Sequence, residues 1–341
     1  MSADRISRRD ALRGLSSVGV VSIVGCLGDR QQLTIGVGEP GTRSHQAGHA
    51  LAVAVDRHSD RFGLSVEPID SHSQRLYALA EGDVDTAGVD NTTLVRASED
   101  RGVFDLDPIG QLPHQGVAYG SREQYWLAVA GQSTPPDSTA AFVDHVVYPG
   151  QPSDQSRLVT EQLLRDAELW DESGIDNRPR ADVAAAADQG AVDCLLAVQH
   201  SGSALTAWSQ SVDEQVGDRL TTVPTGSSLQ TAIDEAPNAV GREIEPVGWE
   251  HAELSAVDGW AVPLQWLWSP SAEPDMVAEL TRTAIDHSDT LREVDPLALD
   301  GDTETLVDGV MDGLAVHEGA ATVFREIDSW NSDWVVANGV D

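Results

Sequence analysis

The chain has 341 residues and a formal net charge of −35, from 56 acidic and 21 basic residues. Every basic residue is arginine and lysine is absent. So negative a body repels the phosphates of nucleic acid and argues against that partner. The acid excess is spread along the chain and reads as a halophilic surface, whose self-repulsion molar salt screens to a Debye length of about 3 Å.

In chain order, Met1–Arg13 is polar and basic and contains Ser7-Arg8-Arg9-Asp10. The pair Arg8-Arg9 before an apolar stretch is the address of the twin-arginine export route. The apolar stretch Gly14–Gly25 is about a dozen residues, too short to cross ~30 Å of hydrocarbon. It ends at Val24-Gly25-Cys26, which is similar to the lipobox of secreted lipoproteins. Residues 1–25 are therefore expected to be a signal peptide, Cys26 the lipidated residue and 26–32 a tether to the outer face of the membrane. An ordinary signal peptide with an incidental cysteine is the plainer alternative. With Cys26 acylated, Cys194 has no partner, so no disulfide framework is expected. Its apolar surroundings suggest a buried thiol.

The mature chain, about 310 residues, is long for one core and suggests two lobes. Leu33–Ile35 reads as a strand, Gly36–Gly41 as a loop and Ser44–His58 as a helix with Ala47, Ala50, Leu51 and Ala54 on one face. A strand at Leu64–Ile69, a helix at Arg75–Glu81 stopped by Gly82 and a strand at Thr86–Val89 follow. That alternation marks an α/β lobe with a mostly parallel sheet. Another strand is expected at Tyr125–Val129. The grammar then repeats: strand His145–Tyr148, helix Arg157–Ala167, helix Ala181–Gln189, strand Val192–Val198 and a helix from Leu205. Residues 217–242 are less readable. Trp260–Trp268 reads as a strand, Asp275–Ser288 and Glu304–Leu314 as helices, and Trp330–Asp341 as surface.

Gly36-x-Gly38-x-x-Gly41 matches a dinucleotide fingerprint, but alone it is weak, and the same strand-loop-helix suits any anionic ligand at a helix N-terminus. His45 and His49 have the spacing of a two-histidine metal site, yet Gln46 stands where a zincin needs glutamate and no third ligand is near. No metal, no cofactor and no catalytic residue is therefore expected. Polar loops do follow strand C-termini, where α/β sheets bind ligands. They nominate Glu39, Thr42, Arg43 and His45; Ser71, Ser73, Gln74 and Arg75; and Asp90 and Asn91 as ligand-binding residues. In the second unit they nominate Ser153, Asp154, Gln155 and Ser156, then Gln199 and His200.

The order of these motifs resembles the TAXI family of solute-binding proteins, the extracytoplasmic receptors of tripartite ATP-independent periplasmic (TRAP) transporters. Leu33–Ala50 is similar to that family's opening strand, Gly-Thr loop and first helix, and Val66–Asp85 to its second strand, serine-bearing loop and helix. Gln189–Asp193 and His317-Glu318-Gly319-Ala320 resemble later motifs. The resemblance implies a type II periplasmic-binding-protein fold: two α/β lobes, two crossing hinge strands and a C-terminal segment packed back on lobe 1. Residues 33–128 and 252–341 would form lobe 1, and 129–251 lobe 2. It also implies a TRAP permease as partner and a carboxylate ligand such as glutamate or another dicarboxylate. Arg43 and Ser44 replace the family's usual aromatics, and Pro152–Ser156 its Gly-Ser-Gly-Thr loop. Arg43 and Arg75 are expected to clamp a carboxylate, with Asp90 and Asp154 toward an amine. A secreted enzyme using the same cleft, or a sensor that has lost transport, remains the alternative.

Overall fold

The computed structural model describes residues 30–131, 134–200, 204–299, 301 and 303–337. Arg8, Arg9, Cys26 and the tip of the loop after His200 lie outside the described residues. Among the described residues no helix is long and apolar enough to cross a membrane.

Lobe 1 opens with β1 (Gln31–Val37), α1 (Arg43–His58), β2 (Phe62–Pro68), α2 (His72–Glu81), β3 (Thr86–Asp90) and α3 (Asn91–Ser98). α1 and α2 both start earlier than their apolar faces suggest. The reason is capping: the Thr42 hydroxyl accepts from His45 N–H, and the Ser71 hydroxyl accepts from Gln74 N–H. β4 (Ala118–Val129) then leaves lobe 1. Lobe 2 comprises β5 (Val146–Tyr148), α4 (Gln155–Asp166), β6 (Gly174–Ile175), α5 (Val183–Asp188), β7 (Cys194–His200), β8 (Ala204–Leu205) and α6 (Ala207–Val216). The less readable stretch holds β9 (Leu220–Val223), α7 (Ser227–Glu235) and β10 (Val240–Ile244). β11 (Val257–Trp268) returns to lobe 1, where α8 (Pro274–Asp286), α9 (Ser288–Val294), α10 (Thr303–Val307), β12 (Ala315–Val316), α11 (Glu318–Glu326) and β13 (Val335–Val336) complete the chain.

The main sheet runs β2-β1-β3-β11-β4-β7-β5-β6. β2-β1-β3 and β7-β5-β6 are parallel sets, one per lobe. β4 and β11 lie antiparallel between them, each 12 residues long. β11 pairs with β3 through Leu264–Trp268, and β4 pairs with β7 through Arg122–Ala128. Each strand thus begins in one lobe and ends in the other. Together with the C-terminal helices on lobe 1, this is the type II periplasmic-binding-protein fold.

Lobe 1 packs on both faces of its sheet, around Ile35, Leu51, Trp266 and Phe324 on one side and Leu76, Val89 and Phe104 on the other. Lobe 2 does the same around Trp126, Leu163 and Trp260, and around Tyr125, Leu195 and Val216. The change of core falls between Tyr119 and Tyr125 on the way out and between Val262 and Leu264 on the way back. Both points differ from the boundaries expected at 128/129 and 251/252, because the change happens inside strands and not in linkers.

Two further expectations are corrected. The helix expected over Glu304–Leu314 stops at Val307, because side-chain amides of Gln265, Asn91 and Gln115 capture the carbonyls of Gly309, Met311 and Leu314. The segment after Trp330 is not simply surface: β13 pairs with β12, and Trp330 and Trp334 pack against the lobe 1 core.

Candidate ligand-binding site

The loops at the carboxyl ends of the lobe 1 strands face lobe 2 across a cleft of about 460 Å³. Thr42, Arg43, Ser44, His72 and Arg75 line it from lobe 1, and Tyr119, Arg122 and Leu264 from the crossing strands. Lobe 2 adds Asp154, Gln155, Ser156, Arg180, Val198, His200, Thr206 and Trp208. The first residues of α1 and α4 both belong to this lining, so two helix N-termini face the cleft from opposite lobes. Free N–H groups and a positive helix end favour an anion there.

Arg75 is the unusual side chain. It is 2% exposed, and Nη1 donates to Ser44 Oγ at 2.9 Å. Its Nε has no partner, and no carboxylate lies within ion-pair distance of it among the described residues. Burial pushes its pKa down, against the pull of Tyr119, Asp90 and Asp70. Ser44 Oγ also accepts from the Gly38 amide at 2.9 Å, which ties the glycine loop to the guanidinium. A Cβ at Gly38 would lie 2.5 Å from Thr42 Oγ1 and 3.0 Å from Arg75 Nη1, so any side chain there must displace both.

The other arginines have partners. Arg43 pairs with Asp295 and donates through Nη2 to the carbonyls of Tyr119 and Leu297, each at 2.8 Å. Its donors are thus largely taken, and it is not the free clamp expected from sequence. Arg122 pairs with Asp90 at 3.3 Å, and Arg180 pairs with Asp154. Asp90 also caps α3, accepting from Thr93 N–H at 2.8 Å. Burial opposes ionisation of Asp90, but His72, Arg122 and the Thr93 hydrogen bonds hold its pKa below the usual range.

Neutral groups complete the lining. His72 Nδ1 accepts from the Asp90 amide at 2.9 Å, so its proton sits on Nε2. Burial, with Arg75 and Arg122 nearby, pushes its pKa down to about 4 against the attraction of Asp90. Burial, with Arg122 and Arg43, does the same for His200, also to about 4. Burial raises the Tyr119 phenol to about 12. The Tyr119 hydroxyl, Gln155 Oε1 and His200 Nδ1 are buried without a hydrogen-bond partner among the described residues.

Of the residues nominated from sequence, the cleft brings together Thr42, Arg43, Arg75, Asp154, Gln155, Ser156 and His200. Glu39 is exposed and outside the lining, and His45 is half-buried and also outside it. Ser71 is spent capping α2, while Ser73 and Gln74 are also outside the lining. Asp90 is sealed behind Arg122, and Asn91 is turned to the opposite side, donating to Gly309 O at 2.8 Å. The Ser153 hydroxyl accepts from the Gln151 amide. Gln199 is fully buried and donates to Glu123 at 2.8 Å. Adjacent strand residues point to opposite faces, so Val198 and His200 reach the cleft and Gln199 cannot.

Ser44, Asp70 and His72 lie inside the nominated loops, but Tyr119, Arg122, Arg180, Thr206 and Trp208 do not. Arg122 belongs to the polar run Ser121–Gln124, which precedes the apolar half of the strand and is the one sequence feature that points to it. Tyr119 and Arg122 are three apart and would face opposite sides of a regular strand. The pairing skips Tyr119, with Leu264 opposite Gly120 and Gln265 opposite Ala118. This bulge resets the alternation and turns both side chains to the cleft. Among the described residues, no three His, Cys, Asp or Glu side chains group as metal ligands do.

The fold and cleft define a two-lobed protein of the periplasmic-binding-protein class. No family model matches the chain, and no curated protein matches it. Among solved structures it is similar to the periplasmic aliphatic sulphonate binding protein SsuA of Escherichia coli, with 16% identity, 77% of this chain and 74% of that chain covered and a TM-score of 0.41. It is also similar to the probable amino-acid ABC transporter extracellular-binding protein ytmK of Bacillus subtilis, with 11% identity, 80% and 99% covered and a TM-score of 0.45. A Xanthomonas citri protein bound to ATP shares 13% identity over 88% of this chain and 99% of that chain, with a TM-score of 0.46. Such distant likenesses transfer no ligand and no residue to this chain.

Proposed function

We propose that this protein is an extracytoplasmic solute-binding receptor. It captures a small carboxylate-bearing solute between its lobes and delivers it, without turnover, to a membrane permease of the TRAP type. The observation that carries this reading is Arg75, buried at the cleft with one hydrogen bond and no carboxylate within ion-pair distance among the described residues. A buried cation without a counter-ion is costly, and an anionic solute supplies the partner. Closure of the lobes excludes water and strengthens that contact. The TAXI resemblance suggests glutamate or another dicarboxylate. The carboxylate half of that suggestion fits Arg75, while the carboxylates expected to hold an amine, Asp90 and Asp154, are engaged by Arg122 and Arg180. Twin-arginine export and lipidation at Cys26 belong to the same proposal, since a tethered receptor stays close to its permease.

Thermal-shift screening in molar salt against organic anions, amino acids and sugars tests it. An organic anion at 100-fold over its Kd should add about 2.7 kcal/mol of stability. A screen in which no solute raises the melting temperature, or in which a solute is chemically consumed, removes the receptor reading. Uptake by permease-loaded vesicles should follow an ion gradient without ATP. An ATP requirement would remove the TRAP assignment alone. Cys26→Ser should release a binding-competent protein into the medium, and retention at the membrane would exclude the lipid anchor.

A further inference from the structure

Resting on that receptor reading, we infer that the captured solute is a monoanion without an amine, with an uncharged and partly apolar body. The inference comes from the charge balance of the cleft. Arg43, Arg75 and Arg122 reach it from lobe 1 and the crossing strands. Asp295 is paired with Arg43, and Asp90 with Arg122. Both carboxylates are sealed from water, at 2% and 0% side-chain exposure. Among the buried groups, three guanidiniums against two carboxylates leave a single positive charge, centred on Arg75; the remaining lobe 1 carboxylate of the lining, Asp70, is exposed and acts on Arg75 only from a distance. Lobe 2 adds no net charge, because Arg180 comes with Asp154. His72 accepts a backbone N–H through Nδ1 and is a neutral donor through Nε2. Tyr119 adds an uncharged hydroxyl.

A second negative charge on the solute would enter a closing, water-poor cleft with no second free cation among the described residues. An ammonium group would need a free, desolvated carboxylate. Asp90, Asp154 and Asp295 are each taken by an arginine. Asp70 is exposed, where water and salt screen it. The solute body instead meets Leu264 from the crossing strand and Val198, Thr206 and Trp208 from lobe 2. Gln155 Oε1, buried without a donor, is suited to a hydroxyl or amide N–H on that body.

Calorimetric titration of the full mature chain in molar KCl separates the classes. The probes are hexanoate, benzoate and benzenesulfonate as monoanions, succinate and glutarate as dianions, and glutamate and leucine as amino acids. The tightest monoanion should bind at least about tenfold better than the best dianion or amino acid. The carboxylate and sulfonate arms identify the headgroup. A dianion or amino acid that binds tightest overturns the inference and leaves the receptor reading standing. No binding in any class removes the receptor reading itself. Asp90→Asn keeps a capping oxygen for α3 and removes one resident carboxylate, so it should raise the affinity for succinate relative to benzoate about tenfold. Should that variant fail to fold, Asp295→Asn makes the same change at Arg43. An unchanged ratio in the folded variant overturns the charge-balance account.

Discussion

Arg75 donates to Ser44 Oγ at 2.9 Å, and that hydroxyl in turn accepts from the Gly38 amide at the same distance. One serine thus connects the glycine loop, the start of α1 and a buried guanidinium from α2. The contact orients Arg75 without neutralising it. Holding an unpaired charge in place costs stability in the empty protein and readies it for an anion. Replacement by an apolar residue therefore has two opposite effects. Arg75→Met should stabilise the unliganded fold, because it removes a buried charge and leaves no partner charge uncompensated. It should weaken anion binding roughly 10- to 100-fold, the worth of a charge-assisted hydrogen bond. Urea unfolding and calorimetry measure the two separately. A destabilised empty protein would mean that Arg75 already has its counter-ion.

Asp295 and Arg43 form the contrasting pair, both buried and mutually satisfied. Asp295→Asn leaves Arg43 charged and alone, and removal of one partner from a buried pair costs about 3–5 kcal/mol. The loss should appear as a lower urea midpoint with an unchanged slope. A change within about 0.5 kcal/mol would show that Arg43 is adequately held by the carbonyls of Tyr119 and Leu297.

At Gly38, alanine would place a methyl group 2.5 Å from the capping oxygen of Thr42 and 3.0 Å from Arg75 Nη1. Gly38→Ala should displace both and weaken anion binding about tenfold or more, while the helical circular dichroism stays unchanged. Wild-type affinity in this variant would show that the loop can shift at no cost to the site.

Acid should unfold the protein before its carboxylates titrate. His72 and His317 each accept a backbone N–H through Nδ1, from Asp90 at 2.9 Å and Gly319 at 3.2 Å. Burial lowers both pKa values to about 4 from 6.5, with Arg75 and Arg122 adding at His72 and His114 at His317. Below 6.5 the unfolded chain binds the protons that the fold refuses. Their contribution is therefore complete above pH 6.5 and is lost as pH falls toward 4, at about 1 kcal/mol per pH unit for each histidine. Denaturant melts from pH 7 to 4 measure the slope, and His317→Gln should reduce it. A flat profile would mean that both imidazoles are protonated in the fold.

Salt is expected to stabilise. Many carboxylates that pair with arginine are almost fully in water, as Asp60, Asp171 and Asp289 are at 109%, 88% and 95% side-chain exposure. Such pairs contribute about 0–1 kcal/mol each and cannot offset the repulsion of a net charge of −35. The melting temperature should rise steadily as KCl goes from tenth-molar to molar levels. A fall would remove the halophilic reading of the composition.

What could be read directly from the chain are the features that depend on local order. Apolar periodicity marks α1, β1 and β7, and capping residues and glycines punctuate them, because those preferences act over a few neighbouring residues. The sequence also brought forward Arg75, Asp154 and His200, since loops at strand ends carry polar groups in any open α/β sheet. Which charges are free was decided only by tertiary structure. Arg43 and Arg75 look alike in the chain, yet Asp295, far away in sequence, pairs with the first, and no carboxylate among the described residues lies within ion-pair distance of the second. Tyr119 and Arg122 reach the cleft through a bulge set by pairing with β11, which local spacing does not encode. Ion pairing and register are long-range properties, and in this cleft they select which polar residues remain available to a ligand.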